Sequence, residues 1–351
     1  MIRRDFLKAA SVMTAALAAP AAAKNKLTDR SAVQEVLKPA RLRKGDKIGL
    51  IAPGSFITEK ELEESVNNIK SLGFEPVYTE HVLARSGYLG GSDSVRANDV
   101  NYMFGRKDIN GIICVRGGYG CQRILPMLDY ELIRNNPKVL SGYSDITALL
   151  YGIYAKTGLV GFHGPVATST FNKFSVNYFT QVLCNPSEKL TMTSATDENP
   201  NDECRKIRVI RNGKAEGQLV GGNLSIVVSL VGTPYDLDTK GKIVFLEEVG
   251  EQPYRVDRLL TQLIQSGKLS DAAGIALGVF TDCEPDKSSK EFTESFTLSE
   301  VLYDRLFSLG IPVIYGLSFG HIVNKFTLPF GIKARLDVDN QQLSLLETAV
   351  L

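Results

Sequence analysis

The sequence predicts an α/β protein: an N-terminal open parallel sheet of the Rossmann or flavodoxin-like kind, followed by a C-terminal sheet-rich α/β domain. Three observations carry that reading. Short apolar runs stopped by Gly and Pro alternate with segments of helical periodicity, the pattern of βαβ units. A length of 351 residues fits two domains at roughly 100–200 residues each. The composition, 44% hydrophobic and 23% charged, is that of a globular chain with material for a sizeable core.

The chain opens on Ile2-Arg-Arg-Asp-Phe-Leu-Lys8, then the apolar stretch Ala9 to Ala19 and the run Ala21-Ala-Ala23. A charged start, a short apolar centre and a small-residue cleavage site read as a signal peptide over residues 1–23, too short to span a bilayer. Arg3-Arg4 with Phe6, Leu7 and Lys8 resembles a twin-arginine signal, which implies export of a folded protein to the bacterial periplasm. No Cys follows the apolar centre, so no lipid anchor is expected. Residues 24–45 lack strong periodicity and read as a tether.

The N-terminal domain is placed at residues 46–189. Lys47 to Ala52 reads as a buried strand ended by Pro53-Gly54. Thr58-Glu-Lys-Glu61 has the spacing of a capping box, with Leu62, Val66 and Ile69 on one helical face behind it. Pro76-Val-Tyr78 is the next apolar segment, completing a βαβ opening. The alternation continues with a helix over 92–104, a strand over 111–115, a short helix over 121–128, a strand from Val139 and a helix over 145–156. Residues 190–205 turn polar and are read as a linker. In the C-terminal domain, 206–351, strands are expected near 206–211, 241–247, 273–280 and 312–316, helices over 255–265 and 298–309, and a closing hairpin around Asp339-Asn340.

A formal net charge of +1 leaves no basic excess to neutralise a phosphate backbone. Removing residues 1–23 brings it to −1, so nucleic acid is not an expected partner. The five cysteines form no C-x-x-C pair and read as small buried hydrophobes.

Candidate chemistry lies in the turns after strands. In Gly142-Tyr-Ser-Asp145, a strand ends, Ser144 occupies the turn and a helix begins. Such a turn lifts the hydroxyl above the sheet edge and sets the Asp145 N–H at a helix N-terminus, where it can meet an oxyanion. The hydrolase pattern G-x-S-x-G is absent, and an N-capping Ser would give the same sequence. A nucleophilic Ser needs a base, and the chain has three histidines. His321 and His163 both sit at strand ends, and spacing does not choose between them. Glu247 and Glu248 end an apolar strand, where a carboxylate can orient an imidazole. The turn Arg116-Gly-Gly-Tyr-Gly120 allows close backbone approach to a ligand, with Arg116 able to hold a carboxylate. A dinucleotide reading is the obvious rival but a weak one, since the G-x-G-x-x-G spacing and a well-placed acidic residue on the next strand are both missing. Gly221-Gly-Asn223 offers a second small-residue turn.

Together Val115-Arg-Gly-Gly-Tyr-Gly120, Gly142-Tyr-Ser-Asp145, Gly221-Gly-Asn223, Leu246-Glu247 with Pro253-Tyr-Arg-Val-Asp257, and Gly316-Leu-Ser-Phe-Gly-His321 resemble the LD-carboxypeptidase family of serine peptidases, from about Asp46 to Leu346. The resemblance implies a Ser-Glu-His triad of Ser144, Glu247 and His321, and thereby prefers His321 to His163. It also implies hydrolysis of the amide before a terminal D-amino acid, notably the D-Ala of murein tetrapeptides, without metal or cofactor. Asp145 and Gly118 are expected as oxyanion donors and Arg116 as the ligand of the leaving carboxylate. A site between the two domains and a homodimer are further implications.

Two alternatives stand beside it. A branch of the same family cleaves microcin-type peptidyl-nucleotides, gripping the base with an aromatic side chain; the absence of Trp counts against that branch, although Tyr and Phe can stand in. A periplasmic solute-binding protein would share two α/β domains and an export signal, without a converging Ser, Glu and His.

Overall fold

The first apolar run forms β1 (Lys47–Ile51), and Thr58 caps the helix behind it, α1 (Glu59–Ser71). The capping box is closed in both directions. The Glu61 N–H donates to the Thr58 hydroxyl, and the Thr58 N–H donates to the Glu61 carboxylate at 2.8 Å, so two otherwise unpaired helix donors are satisfied. The computed structural model describes residues 35–195, 205–285 and 294–351. The expected signal peptide lies outside the described residues.

The chain continues through β2 (Glu75–Tyr78), α2 (Asp93–Gly105), β3 (Gly111–Cys114), α3 (Cys121–Ile124), α4 (Tyr130–Asn135), β4 (Val139–Gly142), α5 (Thr147–Thr157), β5 (Phe162–His163) and α6 (Lys173–Leu183). Strands β2-β1-β3-β4-β5 lie side by side and parallel. Ile48, Leu50, Ile112, Ile113, Val139 and Leu140 are all buried, as a parallel sheet covered on both faces requires. Each such side chain contributes about 1.5–3 kcal/mol.

The second half supplies β6 (Leu190–Thr193), β7 (Arg208–Arg211), β8 (Lys214–Asn223), α7 (Leu224–Leu230), β9 (Ile243–Val249), α8 (Pro253–Gln265), β10 (Gly274–Thr281), α9 (Leu298–Leu306), β11 (Val313–Tyr315), β12 (Leu328–Pro329), β13 (Lys333–Asp337) and β14 (Gln342–Leu345). Its sheet runs β6-β14-β13-β8-β9-β10-β11-β7. The central four strands, β8 to β11, are parallel; the flanking ones are antiparallel. The α/β class with a parallel first sheet and a sheet-rich second half is therefore as expected.

The expected boundaries change in three places. Residues 35–45 are docked and not a loose tether: the Leu37 N–H donates to Gly158 O, the Arg41 N–H donates to Leu351 O, and Leu42 is buried. The reason is apolar side chains at 36, 37 and 42 on an extended segment. The expected linker begins with strand β6, whose Leu190 and Met192 point inward and whose Thr191 and Thr193 point out. That period of two is a strand signal inside a polar stretch. The two halves also interlock. Strand β12, from the C-terminal half, pairs antiparallel with β5, with Leu328 opposite His163. Glu35–Leu351 accordingly form one unit.

Candidate active site

Three strand ends build the site. Beyond β4, Tyr143 is extended and Ser144 turns left-handed, with φ of +65°, into a 3-10 turn (Ser144–Ile146) that leads to α5. A left-handed backbone costs a residue with a Cβ about 1–2 kcal/mol, so the fold holds Ser144 against a local preference. Its neighbours are close. A Cβ on Gly117 would lie 2.9 Å from Ser144 Cβ, 3.1 Å from its Oγ and 3.3 Å from the Asp145 nitrogen. Gly117 is therefore the residue of the 116–120 turn that sits directly against Ser144. Gly118 instead backs onto Ser55, whose N–H donates to Gly117 O at 3.3 Å.

Asp145 is buried, and its Oδ2 accepts from the Cys121 N–H at 2.9 Å, which ties the serine turn to the start of α3. Burial pushes its carboxyl above the usual value, and the Cys121 bond opposes that rise. Arg116 gives Nη1 to Glu61 Oε1 at 3.1 Å and leaves its side chain 42% exposed. On Glu61, burial is outweighed by the Thr58 and Arg116 contacts, which hold the carboxyl below the ordinary value.

The second sheet brings Glu247 and His321. Glu247 lies within β9 and is fully enclosed; its Oε2 meets His321 Nδ1 at 2.7 Å. With Glu247 ionised, the Nδ1–H donates, which leaves Nε2 as the ring's acceptor. Burial raises the Glu247 carboxyl, but its bond and electrostatic interaction with His321, with smaller contributions from His163 and the Asn223 amide, hold it below the ordinary value. The loop carrying His321 is pinned to β10: the Leu317 N–H donates to Leu277 O at 3.1 Å and the Val279 N–H to Phe319 O at 3.0 Å.

The two sheets meet at Tyr143, whose ring centroid stands 4.9 Å from that of His321, edge to face. A second junction is Gly222 at the end of β8. A Cβ there would lie 2.5 Å from the Thr147 side chain, and the Asn223 N–H donates to Thr147 Oγ1 at 3.1 Å. Gly221-Gly222-Asn223 thus seats the second sheet on the start of α5. Ser144 Oγ makes no direct hydrogen bond to His321 among the described residues.

His163, the other histidine that spacing left open, is buried among Tyr143, Phe245 and Phe319 with both ring nitrogens unpartnered among the described residues. Burial drops its pKa to about 4, so it is neutral near pH 7 and is not positioned as the base.

The LD-carboxypeptidase N-terminal domain matches residues 48–164 and the LD-carboxypeptidase C-terminal domain residues 216–336. The chain belongs to the LD-carboxypeptidase family. It is 38% identical over 300 residues to the probable murein peptide carboxypeptidase of Bacillus subtilis, covering 86% of this chain and 91% of that protein. The microcin C7 self-immunity protein MccF of Escherichia coli is 30% identical over 338 residues, covering 89% of this chain and 96% of that one. The crystal structure of muramoyltetrapeptide carboxypeptidase from Oxalobacter formigenes superposes with a TM-score of 0.73 at 30% identity, covering 85% of this chain and 97% of that one.

As an LD-carboxypeptidase, the protein is a serine-type hydrolase. Two residues packed at the site have no role assigned from sequence, although Tyr143 belongs to the motif Gly142-Tyr-Ser-Asp145. Lys325, four residues after His321, is 5% exposed and holds its ammonium 4.2 Å from the Tyr143 ring centroid. Tyr143 itself touches both Lys325 and His321.

Proposed function

We propose that this protein removes the terminal D-alanine from murein tetrapeptides in the periplasm, using Ser144 as nucleophile, His321 as base and Glu247 as the carboxylate that orients it. The observation that carries the reading is the 2.7 Å bond from the fully buried Glu247 to His321, in a loop packed on the residue next to the strained Ser144.

His321 Nε2 takes the Ser144 proton as Oγ attacks the scissile carbonyl. The Asp145 N–H receives the developing oxyanion, and the Gly117 side of the 116–120 turn, not Gly118, lies beside it; one such donor is worth roughly 100–1,000-fold in rate. The tetrahedral intermediate collapses, His321 returns the proton to the departing D-alanine nitrogen, and the peptide remains as an ester on Ser144. Water activated by His321 then hydrolyses the ester. The Ser144–His321 hydrogen bond closes when substrate fills the site, as catalytic bonds often do. Arg116, tied to Glu61 on one side and exposed on the other, receives the carboxylate of the leaving residue. The protein works without metal or cofactor and as a homodimer.

Incubation with defined tri-, tetra- and pentapeptides, read by mass, tests the reading. Loss of one alanine from the tetrapeptide is expected; turnover of none of them would overturn it. The likeness to MccF favours a second reading, amide hydrolysis of a peptidyl-nucleotide, and a sulfamoyl-adenosine conjugate in the same assay separates the two. For location, a reporter fused behind residues 1–30 is expected to lose export when Arg3 and Arg4 become Lys.

A further inference from the structure

Three loops rise from the carboxyl edge of the first sheet to one side of Ser144: residues 53–55 after β1, 84–91 after β2 and 116–120 after β3. They are locked together. Arg96, buried on α2, donates to Pro53 O and, at 2.9 Å, to Gly120 O. The Gly90 N–H donates to Gly54 O at 2.9 Å, and the Tyr119 N–H donates to Ser55 Oγ at 3.1 Å. Ser86 and Leu89 exchange both backbone bonds at 3.0 Å, a closed turn that carries Tyr88, and a Cβ on Gly120 would meet the Leu89 side chain at 2.6 Å. On this frame stand two tyrosine rings, Tyr88 60% and Tyr119 53% exposed, with centroids 5.7 Å apart, edge to face. Two large rings fixed side by side in solvent offer apolar area that a ligand can cover.

The two ends of the 116–120 turn are tied to opposite faces of the sheet. In the order β2-β1-β3, α1 steps outward from β1 and α2 steps back to β3, so right-handed crossovers set these helices on opposite faces. Arg116 is bonded to Glu61 of α1 at 3.1 Å, Gly120 to Arg96 of α2, and Gly117 between them lies against Ser144. We propose that Tyr88 and Tyr119 form a subsite for the amino-sugar ring to which the stem peptide is attached, the peptide running from Arg116 on the α1 face past Ser144 to the tyrosines on the α2 face. This rests on the murein reading above. Three stem residues separate the scissile carbonyl from the sugar's lactyl group, about 10 Å of extended chain. Tyr119 lies two residues beyond Gly117, about 7 Å of chain at most, and its side chain adds the remaining reach. The sugar is also the part of that substrate with an uncharged C–H face, whereas the stem residues carry carboxylates and an amino group. Arg123 on α3 and Asp93 on α2, the charged residues that follow the two tyrosines, are bonded to each other at 2.9 Å and leave no net charge for ionic capture. A ring face with a polar tip suits a sugar: its C–H groups lie on the ring and its hydroxyls meet the phenol.

The test is kcat and KM for D-alanine release from the free tetrapeptide and from the same tetrapeptide attached to N-acetylmuramic acid, in the wild type, Tyr88→Ala, Tyr119→Ala and the corresponding Phe variants. The readout is the ratio of the two KM values, in which a defect common to both substrates cancels. In the wild type the sugar-linked peptide is expected to have the lower KM, by about 3–30-fold. Each Ala variant moves the ratio toward 1, and each Phe variant, which keeps the ring, retains the preference. A preference that survives both Ala substitutions, or an equal loss on the two substrates, would overturn the subsite. So would equal KM values in the wild type, which leave the murein reading standing because both peptides are still cleaved. Release of D-alanine from neither substrate by the wild type would overturn the murein reading itself, and the subsite with it.

Discussion

Ser144 stands beyond the end of β4, half-buried and with its backbone in a left-handed turn, while Glu247 lies within β9, fully enclosed and regular. The first sheet presents its group by bending the chain; the second presents its group by enclosing a charge. A nucleophile has to be reachable, so the fold spends backbone strain on exposing it. A carboxylate that orients an imidazole gains from the low dielectric around it, where its bond to His321 is stronger. The difference also sets how each side fails: the serine side through geometry, the glutamate side through charge.

Ser144→Ala should produce the largest effect, a fall of about 10,000-fold in kcat or more with the fold intact. Activity within 10-fold of the wild type would remove the serine side of the comparison. Glu247→Gln keeps the shape of the second sheet and changes its charge. About a 1,000-fold loss in kcat with little change in KM is expected, whereas a purely steric role for Glu247 would leave the rate nearly unaltered. Gly117→Ala is a test of geometry alone. The new methyl would press on Ser144 and the Asp145 nitrogen, and a displacement of that kind typically costs on the order of 100-fold in kcat; an unchanged rate would show that the turn has room to spare.

The smallest effect concerns stability. His163 has a pKa of about 4 in the fold against 6.5 in the unfolded chain, so the unfolded state binds its proton first and stability falls as pH drops through that window. At pH 5 this amounts to about 2 kcal/mol, a loss that His163→Leu should not show. Equal acid sensitivity of wild type and variant in denaturant melts would mean that His163 is not the buried neutral group described.

Much of this was legible in the sequence, for physical reasons that can be named. Buried parallel strands are continuous apolar runs, and β1, β3 and β10 read as such; Thr58 with Glu61 is a local pattern that closes on itself. Ser144 and His321 follow strands and Glu247 lies near the carboxyl end of β9, which is where α/β sheets place their ligands. Three things were not legible. Helix α6 is capped by Asn172, whose side chain accepts from the Ser175 N–H, but its buried face, Tyr178, Phe179, Val182 and Leu183, is short and aromatic-rich. Strand β12 joins the first sheet through a pairing more than 160 residues distant in sequence, and no local pattern encodes a partner that far away. His163 and His321 were equivalent by spacing because burial, which separates them, is a property of the packed molecule.

The central claim is that Ser144 carries the peptide between the two sheets as an ester. Acid quenching during turnover of a murein tetrapeptide, followed by peptide mapping, measures it directly. The account predicts the mass of the shortened peptide on the fragment containing Ser144, and no adduct in Ser144→Ala. An adduct on another residue, or D-alanine release by Ser144→Ala at the wild-type rate, would contradict it.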